Sequence, residues 1–248
     1  MKRTVVGTTL LTALLLAGCA PKYDPFRISA DEFRRRVKTI AVAQVAVSPN
    51  VAESGASAKF HPAIESKLQA AGFTVVPSER VREVWDEKAT ELGGLFDPQT
   101  GALNEAKANA LIAHVRAQVK ERFSADALVL PYVRRVTANF SSLPFAGIDA
   151  KWDGASESIV TSGVDKVLTP NVSGKVPALS LIVRIEDLAG AILYSNAGGI
   201  QVVEKLKPGG GQFSREAFIA VPRSEIFADP QRIQQAVNYA LDPFFKRD

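Results

Sequence analysis

The chain has one cysteine and only two histidines among its 248 residues. A single cysteine excludes an intramolecular disulfide framework and a thiolate-based metal cluster, since both need several. His61 and His114 fall on separate predicted helices, so they are read as structural or surface residues rather than as metal ligands or bases. Nucleophile and phosphate motifs are missing as well. Gly154-Ala155-Ser156-Glu157-Ser158 lacks the second glycine of a nucleophile elbow, and Gly174-Lys175 lacks the upstream glycine of a P-loop. Gly209-Gly210-Gly211 leads from no predicted strand into a helix, so it is a loop rather than a phosphate cradle. Any pair among the 26 acids could form by chance, and no spacing selects one. No cofactor, no metal and no catalytic set are expected. The formal charge of +4 includes Lys2 and Arg3, so the rest of the chain is nearer neutral and gives no reason to expect a nucleic-acid partner.

What is present begins at the N-terminus. Lys2 and Arg3 precede an apolar stretch from Val5 to Ala17, which ends in Leu16-Ala17-Gly18-Cys19. A basic start and a short apolar run form the pattern of a secretory signal, too short for a stable span. Small residues leading straight into the cysteine resemble the bacterial lipobox. That resemblance implies cleavage before Cys19, diacylglycerol on its thiol, and a membrane partner reached through the lipid. At least two acyl chains are needed for stable attachment. Ala20, rather than an acid, follows the cysteine and implies the outer membrane, periplasmic face. The expected organisation is a signal peptide over 1–18, the lipidated cysteine with a tether and short helix over 19–37, and a single α/β domain over 38–248.

The elements follow from caps and periodicity. Ser29 and Glu32 form a capping box with Ile28 and Phe33 as its staple, so a short helix carrying Arg34, Arg35 and Arg36 starts at Ala30. A solvated face is favoured for these arginines over contact with anionic head groups. A buried strand over 38–47 is followed by a loop over 48–58. A helix then runs from Pro62 to Gly72, and a strand from Phe73 to Val76. Ser78 is expected to cap the next helix, and Asn104 a longer one reaching Phe123. Ala127–Tyr132 is a buried strand. The order β-α-β-α-α-β favours parallel neighbours covered by helices.

The second half changes period. Val136, Ala138 and Phe140 alternate, as do Ala150, Trp152 and Gly154. Residues 162–177 are expected to be irregular. Leu179, Leu181, Val183 and Ile185 mark a strand that returns through Ile192 and Tyr194, with a bulge or bend at Gly198-Gly199. Asp229 and Pro230 open a closing helix buried through Ile233, Val237 and Leu241. The fold class is therefore α/β: a mixed sheet flanked by helices, with an antiparallel second half and a C-terminal closing helix.

Two places stand out as candidate partner-binding sites. One is the apolar connection between the alternating runs, with Leu143 and Phe145; the other is Trp152-Asp153, an aromatic beside a turn pair. Packing on the domain is the favoured reading of the first.

The runs Ile40-Ala41-Val42-Ala43, then Leu68-Gln69-Ala70-Ala71-Gly72-Phe73-Thr74-Val75-Val76-Pro77, then Ala127-Leu128-Val129-Leu130-Pro131 are similar to strand and helix segments of the CsgG-like and TolB-N-terminal-like families. The similarity covers about residues 38–135. It implies an outer-membrane lipoprotein that forms a secretion channel, activates a cell-wall synthase or serves as an assembly scaffold. The expected function is a lipid-anchored, non-catalytic binding or assembly module in the periplasm, whose partner is another envelope protein or a further copy of itself. The alternative is an oligomeric CsgG-like channel subunit inserting a hairpin near 136–158. A hydrolase with unassigned carboxylates is a third possibility.

Overall fold

The computed structural model describes residues 23–47, 51, 55–95, 100, 104–142, 148–160, 172–207 and 217–245. Its order is α1 (Ala30–Arg36), β1 (Thr39–Val42), α2 (His61–Ala70), β2 (Thr74–Val76), α3 (Ser78–Glu91), α4 (Glu105–Phe123), β3 (Ala127–Ser142), β4 (Ile148–Trp152), β5 (Ala155–Ser158), β6 (Ser173–Asp187), β7 (Ile192–Val202), β8 (Glu204–Leu206), β9 (Phe218–Ala220) and α5 (Pro230–Leu241). The fold is mixed α/β. β1 runs parallel to both β2 and β3, whereas β3, β6 and β7 are antiparallel, as is the β4–β5 hairpin on the far half of β3. β8 and β9 form a small separate antiparallel pair.

Caps place the helices. The Ser29 side chain accepts the Glu32 N–H, Asn104 accepts from Lys107, and Asp229 accepts from Gln231 ahead of Pro230. At α3 the expected cap moves by one residue. Pro77 holds the extended cap conformation, and Ser78 is the first helical residue, its N–H donating to the Glu65 carboxylate at 2.8 Å.

β3 is the spine, and it is one strand of 16 residues rather than two runs. Its two faces serve three different cores. Ala127, Val129 and Val133 face α1, α2 and α5, in the same core as Leu179, Leu181, Val183 and Ile185 of β6. Leu128 faces α3 and α4. Further along that second face, Ala138 and Phe140 join Ile148, Ala150, Trp152, Val176, Ala178 and Val202 in a core of their own. Arg134 and Arg135 are exposed at the crossover, where neither helix layer nor barrel covers the strand. β6 begins at Ser173, so the tail of the segment expected to be irregular is a strand, paired residue by residue with β3.

The sheet curls until its far edges meet. The Gly199 N–H donates to Asp153 O at 2.9 Å, the Leu206 N–H to Ile159 O at 2.7 Å, and Val160 bridges Leu206 in parallel. β3, β4, β5, β7 and β6 thus enclose a small barrel-like interior. The expected irregularity at Gly198-Gly199 is a register shift: Leu179 pairs with Gln201 and Ser180 with Gly199, leaving Ile200 as the extra residue.

The folded unit starts before Lys38. The Phe26 ring meets Phe33 at 5.7 Å, Tyr194 at 5.0 Å and Phe244 at 5.2 Å. Fully buried Phe33 contributes on the order of 2 kcal/mol through its removal from water. Residues 23–37 are therefore part of the domain rather than a tether to it.

Candidate functional site

Of the candidate partner-binding residues, Leu143 and Phe145 lie outside the described residues, as does Cys19. Trp152 requires a correction. It is only 8% exposed, it lines the barrel interior, and its indole N–H donates to Leu179 O at 3.1 Å. Alternation along β4 turns Ile148, Ala150 and Trp152 inward, so the indole has no face left for a partner. Asp153 does reach the surface.

Asp153 and Gly154 form the two-residue loop of the β4–β5 hairpin, since Trp152 pairs with Ala155. Both have positive φ, 39° and 81°, as the tight hairpin turn of Asp-Gly sequences requires. The Asp153 carboxylate accepts from the Ser180 hydroxyl at 2.6 Å. Against Gly154 lies the Tyr239 ring, so close that a Cβ at Gly154 would stand 2.8 Å from it. β7 holds Tyr239 from beneath. The Asn196 amide donates to Tyr239 O at 3.1 Å and Ala240 O at 3.2 Å, and the buried Tyr194 hydroxyl also donates to Ala240 O. These bonds satisfy carbonyls that the end of α5 leaves open. Burial raises the Tyr194 hydroxyl well above its ordinary pKa, so it stays a donor.

The opposite wall comes from the start of the described chain. The Tyr23 hydroxyl donates to Ser195 O at 2.6 Å, the Ser195 N–H to Pro25 O at 2.9 Å, and the Arg27 N–H to Leu193 O at 2.9 Å. Residues 23–27 thus pair with the edge of β7 through an isolated antiparallel bridge, Phe26 to Tyr194, a place where Pro25 is tolerated. Tyr23, Asp153, Gly154, Asn196, Ala197 and Tyr239 enclose an open cleft of about 450 Å³.

Two other hollows are less informative. One of about 570 Å³ lies between α2 and α5, where the Lys59 ammonium already donates to Phe227 O. One of about 610 Å³ lies over α1, where Arg34 donates to Phe244 O and Lys38 to Arg34 O. Arg36 pairs with Glu32 and Asp187. Two largely buried carboxylates are committed to structure. Glu186 sits between Arg116 and Arg184, and Glu157 between Arg232 at 2.6 Å and Lys205 at 3.2 Å. Among the described residues no group of three His, Cys, Asp or Glu is arranged to hold a metal ion.

His61 is buried, and its Nε2 accepts the Val45 N–H at 3.2 Å. Burial lowers its pKa, outweighing the attraction of Glu65. Along the hairpin near 136–158, the described apolar side chains turn inward, while Asn139, Ser141, Asp149 and Lys151 face outward. A membrane-spanning strand pair needs an apolar outer stripe instead. Among the described residues no helix is long and apolar enough to cross a membrane, which says nothing of strands.

Sequence reasoning missed Tyr23, Asn196 and Tyr239. Tyr239 carried a signal: it is an aromatic lying off the buried stripe of Ile233, Val237 and Leu241.

No protein-family model matches the chain, and no curated protein sequence does. Among solved structures it is similar to the PelC L103M dodecamer from Paraburkholderia phytofirmans, at 12% identity and a TM-score of 0.36, over 84% of this chain and 90% of that one. It is also similar to a second PelC dodecamer from the same organism, at 11% identity and a TM-score of 0.36, over 86% and 91%. At that level of superposition the likeness assigns this chain neither an assembly nor an activity.

Proposed function

We propose that this is a lipid-anchored protein of the bacterial envelope, cut before Cys19 and acylated there, and held on the periplasmic face of the outer membrane. Its domain acts as a non-catalytic binding or assembly module for another envelope protein or for further copies of itself. The observation that carries this reading is the clamp on Tyr23. Only Ala20, Pro21 and Lys22 separate Cys19 from a residue bonded into the edge of β7. Such a domain is built to sit at its anchor. The engagement of Glu157 and Glu186 by paired cations favours structure over acid–base work at these two largely buried acids. The similarity to the CsgG-like and TolB-N-terminal-like families belongs to the same proposal.

The test is palmitate labelling and membrane fractionation of the native chain beside Cys19→Ser, followed by crosslinking in intact cells. Label and membrane residence lost in the variant, together with a specific crosslinked envelope partner, support the proposal. An unlabelled native chain in the soluble fraction overturns it.

A further inference from the structure

We infer that the protein rests on the lipid–water interface of its own membrane through the cleft walled by Tyr23 and Tyr239. This depends on the acylation of Cys19 proposed above and adds the face on which the domain sits.

Tether length comes first. Four Cα steps join Cys19 to Tyr23, so the two can be at most about 14 Å apart even when fully extended. The polar layer on each side of a bilayer is on the order of 5–8 Å thick. A domain clamped at Tyr23 therefore stays within about 6–9 Å of the head-group layer, which holds the residues nearest that point within reach of lipid. Ser195 holds the Tyr23 hydroxyl, and Asn196, Ala197 and Tyr239 border the same cleft.

The chemistry of those residues fits the place. Tyr23 is 61% exposed and Tyr239 is 40% exposed, so both rings are open to a surface that comes up to the cleft. Tyrosine is favoured at the boundary between acyl chains and water because its ring is apolar and its hydroxyl is polar. Tyr239 is fixed by Gly154 on one side and by the Asn196 bonds to the backbone beneath it, so seating the ring needs little ordering. Asp153 sets its carboxylate at the same rim, which suits the ammonium of a zwitterionic head group better than an anionic surface. Each contact is weak alone. A short tether raises the local concentration of the surface to the order of millimolar or above, so weak contacts suffice to hold one orientation.

The experiment is hydroxyl-radical footprinting of the acylated full chain on phosphatidylethanolamine–phosphatidylcholine vesicles, compared with Cys19→Ser protein in solution. Labelling of Tyr23 and Tyr239 should fall by about fivefold or more on vesicles, as expected for rings at the interface. Trp85 of α3, across the sheet, should label equally in both samples. Equal labelling of the two tyrosines on a chain that carries its acyl mass overturns this inference alone. Protection that appears only at high protein density, with crosslinks between copies at this face, also overturns it, in favour of self-association. Absence of an acyl mass on the Cys19 peptide overturns the anchor itself and this inference with it.

Discussion

Gly198 meets Ala236 backbone to backbone. A Cβ built on Gly198 would fall 1.9 Å from the Ala236 carbonyl oxygen, so α5 seats on β7 only because no side chain stands there. Gly198→Ala should cost about 2–4 kcal/mol through a forced shift of the helix. Chemical denaturation of the Cys19→Ser chain measures it. Tyr239 should also become more reactive to solvent probes, because the same shift lifts it from Gly154.

Trp152→Phe removes the indole donor from Leu179 O inside the barrel. A buried carbonyl left without its partner, plus the lost ring volume, should cost about 1–3 kcal/mol. Denaturation midpoints report this. Crosslinking of the folded variant to any envelope partner should match that of the native chain, since the indole never reached the surface.

His61 makes stability depend on pH. Its folded pKa lies below that of the unfolded chain, so the unfolded state takes up the proton first as pH falls. Stability attributable to this group is present above the ordinary histidine pKa of about 6.5 and declines as pH drops through and below that value. Urea unfolding at pH 7.5 and pH 5 should show a drop that is smaller in His61→Gln. An equal drop in both chains would assign the effect to other groups.

Glu157 ties four elements together. Its carboxylate accepts the Val202 N–H at 2.8 Å and pairs with Lys205 and Arg232, joining β5 to β7, β8 and α5. Glu157→Ala leaves two cations facing each other and should cost about 3 kcal/mol. The double variant Glu157→Ala, Arg232→Ala should lose less than the sum of the single losses, and a thermodynamic cycle reads the difference.

Local signals in the sequence foretold the parts of this fold that depend on local physics. Ser29, Asn104 and Asp229 cap where their spacing to helical stripes places them, and the double glycine of β7 produces its bulge. The alternation of Val136 to Phe140 and Ala150 to Trp152 was visible as period two. What it lined was not, because the barrel closes through Asp153 with Gly199 and Ile159 with Leu206, pairs far apart in the chain. Trp152 was misread for that reason: beside a turn it looks exposed, and only closure puts it inside. Tyr23 was hidden inside the stretch read as a tether, because nothing in residues 23–27 alone reveals the free edge of β7 with which they pair. Half of the cleft was therefore legible, the Asp153-Gly154 turn, and the half supplied by long-range pairing was not.

The aromatic seam of Phe26, Tyr194 and Phe244 joins parts of the chain that lie far apart in sequence. Its three rings come from the first described turn, from β7 and from the segment after α5, with Tyr194 and Phe244 only 4.6 Å apart. Each ring is therefore a lid on the other two, and damage at one end of the described chain is felt at the other: loss of Phe26 unseats the segment after α5, and loss of Phe244 loosens the pairing of residues 23–27 with β7.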